Sequence, residues 1–473
     1  MKRKRSYLSI IVVLIMCMQI GFINVSAAES PVKSGPQNYD GKELNILSIK
    51  WDFMDTMLGK YAQEIADQMG IKLNISFYTY DESRQKVVAD TIANVPTWDI
   101  IYIDTKQMPE YATVGALEPM EGLFEKYGRD SFDLDDFTTN PMQEATYQGI
   151  QYGIPIMSDT NGLVYRTDLF ENEEEKAAFY DKYGYELKVP ETYSEFSDIA
   201  EFFTRKKGEK LCGEVLKEDF YGTCHSDKVA DFLWHDYLSY MYAFGADVYD
   251  EETMMPLWDS EENLAAGKYY VEKLGPTMPE GHINMTSGES MAQFDAGNLA
   301  MIIEFYSRTL YLGGEDSSIQ GKFDFALLPT QDEERPHATI LSTNFMGIYS
   351  KSEKKEMAMD FLQELTNKET AKKMAFHEPD GMYNVGNPLF PRESVLQDPA
   401  LLKKFPALSL VLQTLNQDGV YAFNHIQIPE YPQIIEIGGT ALAYAFNGAN
   451  IQECFKNAQQ EMEKVFRDAG YIE

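Results

Sequence analysis

The stretch QYGIPIMSDTNGLVYRTDLF, Gln151 to Phe170, decides the fold of this chain. An apolar segment punctuated by Gly153 and Pro155 runs into a polar turn that holds Asp159 and Asn161, and a second apolar segment follows before an acidic loop. The pattern predicts a strand, a polar turn and a second strand. Segments on both sides of this strand pair predict alternating strands and helices.

The N-terminus has the three parts of a secretory signal. The cationic cluster Lys2 to Arg5 precedes an apolar run from Tyr7 to Ile23, and Val25-Ser26-Ala27 forms a small-residue cleavage site. The alternative is an uncleaved membrane anchor, but polar and small residues interrupt the run before it reaches the ~20 apolar residues that a span needs. Residues 1–27 are therefore predicted to be a signal peptide, and residues 28–41 a polar linker.

The cysteines predict neither a metal site nor a disulfide framework. Met16 stands before Cys17 where a lipid-attachment site wants a small residue, so lipidation is not favoured. Cys212, Cys224 and Cys454 contain no CxxC spacing. One Cys212–Cys224 bridge and three free thiols both remain open from the sequence.

Composition narrows the class of partner. The chain has 473 residues, 44% of them hydrophobic, which suits two or three packed domains. Its formal net charge is −34, and loss of the basic leader makes the mature chain still more negative. Binding of nucleic acid or anionic lipid depends on Lys and Arg that neutralise phosphates. We therefore expect no nucleic-acid partner, and an anionic ligand is disfavoured.

The first folded region, from about Lys42, predicts a mainly parallel sheet. Glu43 to Ile49 is typical of a buried strand and Met57 to Gly70 of an amphipathic helix, and the same alternation continues through WDIIYIDT. Strands joined by helices form βαβ units, whose ligands lie beyond the carboxyl ends of the strands. The post-strand residues thereby become candidates on geometry: Trp51, Asp52, Asp104 and Lys106.

The second region contains more helix. Thr192 is followed three residues later by Glu195, the capping-box spacing, which predicts a helix start. Ala230 to Tyr249 predicts an aromatic-rich helix that Gly245 ends.

Together with GNLAMIIEFYSRT (Gly297 to Thr309) and MGIYSKSEKKEMAMDFLQELTNKETAKKMA (Met346 to Ala375), the opening stretch resembles the family 1 extracellular solute-binding proteins. These are the capture subunits of carbohydrate-importing ABC transporters. The similarity runs in order over nearly the whole mature chain. The chain departs from the family pattern at two positions. The family often has Asn at the position of Arg166, and often Trp shortly after the alanine-methionine pair, where this chain has Tyr306.

The resemblance implies a periplasmic-binding-protein-like α/β fold in which two lobes trap the ligand between them. Lobe 1 is expected to comprise residues 42–155 and 305–347, and lobe 2 residues 156–304 and 348–473. Strand crossings are expected near Ile154 to Met157, Ile303 to Phe305 and Met346 to Tyr349, beside residues whose backbone rotates easily.

Sugar pockets combine aromatic faces with carboxylates, amides and Arg. Each candidate has a structural alternative: a turn former for Asp159 and Asn161, core packing for Trp51, Trp234, His235 and Tyr306, and an ion pair for Arg308. HEPDGMYN resembles the loop that family members fold over the site, or is an ordinary turn. The expected ligand-binding residues are Trp51, Asp104, Asp159, Asn161, Trp234, His235, Tyr306, Arg308, Gly381 and Tyr383.

The sequence-based prediction is a monomeric protein, outside the cell or at its surface, that captures a sugar or oligosaccharide and delivers it to membrane permease subunits. In an organism with an outer membrane it would be periplasmic. The resemblance requires no cofactor, metal or catalysis. Other readings are a binder of polyols, glycerol phosphates or peptides, or a secreted carbohydrate-active enzyme. GxSxG, HExxH, phosphate-loop and EF-hand signatures do not occur in the sequence.

Overall fold

The computed structural model describes residues 36–225, 228, 230–309, 312–314, 316–331, 338–378, 388–416, 421–422 and 426–473. Its strands are β1 (Glu43–Ile49), β2 (Lys72–Tyr78), β3 (Ile100–Asp104), β4 (Thr146–Tyr147), β5 (Ile150–Gln151), β6 (Ile154–Arg166), β7 (Lys210–Leu211), β8 (Glu214–Val215), β9 (Met301–Phe305), β10 (Phe323–Ala326), β11 (Ile340–Ile348) and β12 (Tyr421–Ala422).

The α-helices are α1 (Asp52–Thr56), α2 (Gln63–Gln68), α3 (Tyr80–Ile92), α4 (Met108–Thr113), α5 (Met120–Tyr127), α6 (Thr139–Glu144), α7 (Thr167–Phe170), α8 (Glu173–Tyr183), α9 (Tyr193–Phe203), α10 (Ala230–Ala243), α11 (Glu261–Lys268), α12 (Ser287–Asp295), α13 (Tyr306–Thr309), α14 (Lys355–Thr366), α15 (Lys368–Ala375), α16 (Glu393–Leu396), α17 (Pro399–Lys404), α18 (Leu408–Leu415), α19 (Tyr431–Phe446) and α20 (Ile451–Asp468). Two π-helical turns, Met57–Ala62 and Tyr269–Leu274, extend α1 and α11.

The main sheet is organised around β6. Its strand order is β10-β6-β11-β3-β1-β2, with β9 also beside β6 and β12 beside β11. β1 runs parallel to β2 and β3, as the βαβ pattern predicts. The first half of β6, to Thr160, pairs with β11, whereas its second half, from Asn161, pairs with β9 and β10. The strand therefore passes from one lobe to the other between these two residues.

Each lobe has its own core. The first lobe buries Ile46, Tyr102 and Phe361 on one face of its sheet, and Ile101 and Ile103 on the other. The second lobe has a large core around α10, α19 and α20, and a smaller one beneath α12.

The lobe boundaries differ from those expected. Residues 348–415 were expected in lobe 2, but α14, α15 and α18 bury their apolar faces in the core of lobe 1. Residues 305–340 include β10, which pairs with the lobe 2 half of β6. Each helix packs on the sheet that buries its apolar face. The local sequence of a helix does not reveal which sheet that is.

The crossings also differ from the expected positions. β9 stays paired with residues 161–165 of β6, and Met346 to Ile348 stay paired with β3, so neither segment is a crossing. β11 crosses instead near Ile340 and Leu341, whose side chains belong to the cores of different lobes. A third link runs between Leu415 and Ile426.

Local predictions hold where the signal was local. Thr192 caps α9 and forms the capping box with Glu195. Cys212, Cys224 and Cys454 are all free thiols, so the Cys212–Cys224 bridge does not form. Among the described residues, which exclude 1–35, none of the helices is long and apolar enough to cross a membrane.

Candidate functional site

The site lies where β6 passes between the lobes, and we call it the crossing site. Four consecutive polar residues, Ser158 to Asn161, occupy this part of the strand, and none is more than 4% exposed. Polar groups are expensive to bury unless they are hydrogen-bonded. Four together in the middle of a strand therefore need partners, in the protein or in a ligand.

Asp159 holds the start of α13. Its two carboxylate oxygens accept hydrogen bonds from the Ser307 backbone N–H at 3.3 Å each, and Oδ1 also accepts from the Thr160 N–H at 2.9 Å. Burial raises the pKa of the Asp159 carboxyl to about 6, although these hydrogen bonds and Arg308 act in the opposite direction. The carboxyl thus titrates close to neutral pH.

Asn161 is the first residue of β6 on the lobe 2 side. Its backbone carbonyl accepts a hydrogen bond from Thr339 Oγ1 at 3.2 Å. Its side chain is buried, yet neither Oδ1 nor Nδ2 has a hydrogen-bond partner. Among the described residues it is the one buried side chain with two unpaired polar atoms. Such a group costs about 1–3 kcal/mol for each unmet hydrogen bond.

Arg308 brings the one cation close to this cluster. Its guanidinium donates to Glu304 Oε1 at 2.8 Å and lies over the Phe305 ring. Glu304 is 2% exposed and also accepts from Ser287 Oγ at 2.6 Å. Desolvation disfavours the charged guanidinium, but Glu304, Asp236 and Asp159 outweigh it and raise the pKa of Arg308. Acidic groups therefore outnumber the basic one.

The first lobe contributes Asp104 at the end of β3. Asp104 caps the turn that follows it by accepting from the Lys106 N–H at 3.0 Å. Across the sheet it pairs with Asn344, which itself pairs with Met157 of β6. Asp104 and Asp159 thus lie on strands separated only by β11, about 10 Å apart laterally. Trp51, after β1, is 36% exposed and available to solvent.

Tyr306 has no exposed face for a ligand. Its side chain is fully buried, and its hydroxyl donates to the Ala326 carbonyl at 3.1 Å. The ring lies so close to Gly162 that an added Cβ there would come within 2.1 Å of Tyr306 Cζ. The expected role of stacking on a sugar does not fit this arrangement, because the ring is buried against Gly162 of β6.

Trp234 lies away from the crossing site, in the core of lobe 2. Its ring stacks on Trp258 at 5.0 Å, and Nε1 donates to the Tyr431 hydroxyl. Its neighbour His235 is buried on α10, one residue before Asp236, whose charge acts on Arg308. The structure therefore places Trp234 in the core and His235 among the buried residues of α10. Gly381 and Tyr383 lie outside the described residues.

Sequence reasoning missed a second polar group beside the crossing. Glu144, at the end of α6, is 2% exposed, and burial raises the pKa of its carboxyl well above the usual range. Its Oε2 lies 3.4 Å from Thr105 Oγ1, whose hydroxyl donates to the Thr343 carbonyl at 2.7 Å. Thr343 Oγ1 and Ser158 Oγ lie 2.9 Å apart. Only the pairing of distant segments buries Glu144, so no local signal could have found it.

The described residues contain no group of three or more acidic, His or Cys side chains able to hold a metal ion. The chemistry of the crossing site is hydrogen bonding by carboxylates, an amide and a guanidinium.

Comparison with known structures gives the same two-lobed fold. A solute-binding protein of an ABC transporter from Agrobacterium radiobacter, in complex with ribitol, superposes with a TM-score of 0.72 at 24% identity and covers 91% of this chain and 100% of its own. The maltose-bound MalE3 of T. maritima superposes with a TM-score of 0.69 at 20% identity, covering 90% and 100%. A D-mannitol-bound protein of Agrobacterium vitis gives 0.68 at 22%, covering 91% and 99%.

Sequence comparison gives the family. Proteins of Brucella abortus and Brucella suis that are named as binding proteins are 23% identical over 332 residues, covering 68% of this chain and 72% of theirs. The model of the bacterial extracellular solute-binding proteins matches residues 56–372, well over half of the chain. The two-lobed fold, the polar crossing and this match agree, and the chain belongs to the bacterial extracellular solute-binding protein family.

Proposed function

We propose that the protein captures a neutral, hydroxyl-rich small molecule, a sugar or a polyol, at the crossing site and delivers it to an ABC importer. The observation that carries this proposal is the buried Asn161 side chain, with both polar atoms unpaired. An amide offers an N–H donor and a carbonyl acceptor side by side. A hydroxyl group can satisfy either one, because it both donates and accepts.

The charges around the site favour a neutral ligand. Asp159, Glu304 and Asp236 surround the single guanidinium of Arg308, and Glu304 already accepts its hydrogen bond. A phosphate or carboxylate would meet an excess of negative charge in a partly desolvated site. Ionised carboxylates instead accept strong hydrogen bonds from hydroxyl donors. This combination supports the sugar or polyol over the glycerol phosphate.

The relatives support the same ligand class. The structures that superpose on this chain hold ribitol, maltose and D-mannitol. All three are neutral compounds that present arrays of hydroxyl groups. The choice between a ring and an open-chain polyol depends on cleft walls that include the expected site residues Trp51 and Asp104.

A thermal-shift screen against neutral sugars, alditols and their phosphates tests the ligand class. A ligand that binds only the folded state raises stability by ~2.7 kcal/mol at a hundredfold excess over its Kd. We expect a shift with a neutral compound and none with its phosphate. Stabilisation by the phosphate alone would contradict the proposal. Product analysis of the same mixtures separates binding from hydrolysis, because a binder returns its ligand unchanged.

Lobe movement is tested on the ligand that the screen identifies. The β6 and β11 crossings should let the lobes close as rigid bodies. Small-angle scattering should then give a smaller radius of gyration with ligand than without it. With this role we propose a location outside the cell or at its surface, membrane permease subunits as the partner and a monomeric state. The purified permease should bind the liganded protein more tightly than the empty one.

A further inference from the structure

A cavity of ≈ 920 Å³ opens between the lobes and shares none of its lining with the crossing site. Lobe 1 contributes the end of α4 and the β4–β5 hairpin, and lobe 2 contributes the loop after α10, the segment before α19 and the C-terminus. Tyr147 packs on the sheet face of Ile101 and Ile103, whereas Asp104 continues the face of Tyr102. The cavity and Asp104 are therefore on opposite faces of the lobe 1 sheet.

The part of the lining that the structure describes is rich in tyrosine. Tyr147, Tyr152, Tyr249 and Tyr471 line it, with the amide side chains of Gln148 and Gln427 and the single carboxylate of Glu251. Tyrosine offers an apolar ring and a polar tip, the combination that binds a sugar ring with its C–H faces and hydroxyls. Among the described residues, which exclude 423–425 next to Gln427, no Lys, Arg or His lines the cavity, and this disfavours an anionic ligand.

Tyrosines of the two lobes interact electrostatically across the cavity. The pKa of Tyr249 is raised to about 12, mainly by burial, with Asp247, Glu251 and Tyr147 acting in the same direction and a backbone hydrogen bond at Gln427 opposing them. Tyr147 also acts on Tyr471, which donates its own hydrogen bond to Glu430 at 2.8 Å. Residues of both lobes thus present donors and acceptors to one space.

The backbone around the cavity is strained. Gln148 and Met254 have φ of 49° and 58°, and they are two of the six non-glycine residues with positive φ in the described chain. Gln148 forms a two-residue hairpin turn with Gly149, at a position where a long side chain is unfavourable. This turn places the Gln148 amide 3.2 Å from the Tyr147 hydroxyl. Such strain is concentrated at functional sites.

We propose that this cavity is a second binding site, which takes a neutral oligosaccharide. Its volume lies in the upper part of the range of small-molecule sites, about 300–1,000 Å³, and suits several sugar rings rather than one. The site does not depend on the identity of the ligand at the crossing site. Because both lobes line it, its affinity depends on the angle between them.

The test follows the Met254 methyl group, which lines the cavity, by NMR of protein labelled with methyl-¹³C methionine. The Met254→Leu variant assigns the signal. The probes are maltotetraose, cellotetraose and xylotetraose at millimolar concentration, with spermidine as the cationic comparison. We expect at least one tetrasaccharide to shift the signal saturably and spermidine to leave it unchanged.

Four variants test whether the shift reports binding in the cavity. Ile150→Trp fills the cavity from an exposed position and should weaken the response about tenfold, whereas Ile92→Trp, at an exposed position outside the cavity, should not. Asn161→Ala should leave the response intact. Glu251→Gln should also leave it within about twofold, because a neutral ligand does not need the charge.

The proposal is overturned if no tetrasaccharide moves the Met254 signal. It is equally overturned if the response disappears in Asn161→Ala, since the methyl group would then report lobe movement caused by the crossing site. A response to spermidine that Glu251→Gln abolishes would assign the cavity to cations instead.

Discussion

The crossing site and the core of lobe 2 each contain a buried asparagine, and the two side chains differ in their hydrogen bonding. Asn263 is fully buried, and its side chain donates to the Trp258 carbonyl at 2.7 Å and accepts from the Tyr237 hydroxyl. Asn161 is buried to nearly the same extent, yet its side chain makes no hydrogen bond. Burial alone therefore does not distinguish a site from a core. These two side chains differ in whether their buried polar atoms already have partners.

The same comparison of hydrogen-bond partners applies to the aromatic residues that were expected in the site. Trp234 and Tyr306 were both expected to face the ligand, and both are buried with their polar atoms bonded to the protein. The Asp159 carboxylate accepts from the Thr160 N–H at 2.9 Å, but its Oδ2 has only the shared Ser307 N–H at 3.3 Å, longer than the usual 2.7–3.2 Å of such bonds. These aromatic residues are structural in this conformation, and the polar residues of β6 are the ones suited to exchange partners with a ligand.

The largest effect is expected from Trp234→Ala. Removing a fully buried Trp from a stacked pair should lower the free energy of unfolding by about 3–5 kcal/mol. Urea denaturation measures the loss. Ligand affinity, measured by calorimetry on protein that remains folded, should stay within about twofold. A large loss of affinity in folded protein would place Trp234 in the site after all.

The asparagine pair should separate binding from stability. Asn161→Ala should weaken ligand binding by about 1–3 kcal/mol, or roughly 5- to 150-fold, with little loss of stability, because no protein hydrogen bond is broken. Asn263→Ala is the matched control. It should leave affinity unchanged but destabilise the fold, since it removes the hydrogen bond to the Trp258 carbonyl and leaves the Tyr237 hydroxyl only the backbone carbonyl of residue 263. Equal behaviour of the two variants would contradict the comparison.

Asp159 predicts a pH dependence of binding. The pKa of its carboxyl is about 6 in the free protein, and a hydroxyl ligand donates best to the ionised form. Affinity should therefore rise about tenfold between pH 5 and 7 and become flat above that range. Calorimetry across this pH range gives the profile. Asp159→Asn should bind more weakly with a flat profile, and a slope that survives the substitution would have to come from another group.

The same carboxyl affects stability with a defined sign. Its pKa is raised in the folded protein from an ordinary value of 3.8, so the folded state binds the extra proton between about pH 4 and 6. Its contribution to stability is fully present below pH 4 and is lost as the pH rises through 6. Denaturation of Asp159→Asn should lack this component.

The smallest effect is expected from Tyr306→Phe. The substitution removes the hydrogen bond to the Ala326 carbonyl and leaves that carbonyl unpaired, which should cost about 1 kcal/mol of stability. Affinity should not change, because no face of the ring is exposed. Thermal unfolding and calorimetry measure the two quantities. A stable variant that binds weakly would return Tyr306 to the ligand.

Some features were determined by neighbouring residues and could be predicted from the sequence. Thr192 and Glu195 have the spacing of a capping box, and the helix begins there. β1, β2 and β3 follow their apolar patterns, and α10 ends before Gly245, whose φ is +81°. Asp159 and Asn161 could be picked out because polar residues interrupt an apolar strand. A local pattern suffices in each case, since backbone preference and capping act within a few residues.

The lobe boundaries, the core position of Trp234 and the burial of Glu144 were decided only by the tertiary structure. α10 is apolar on several faces, so its sequence does not reveal which one meets α19. Likewise, the assignment of α14 and α18 to lobe 1 depends on the sheet they cover, a contact between segments far apart in the chain. The sequence therefore determines the family pattern and the positions of the first strands, whereas the strand order and the lack of a partner for the Asn161 side chain are properties of the assembled fold. Hydrogen-bond partners come from whichever distant segments packing brings together, and only their final positions show which polar groups are left for a ligand.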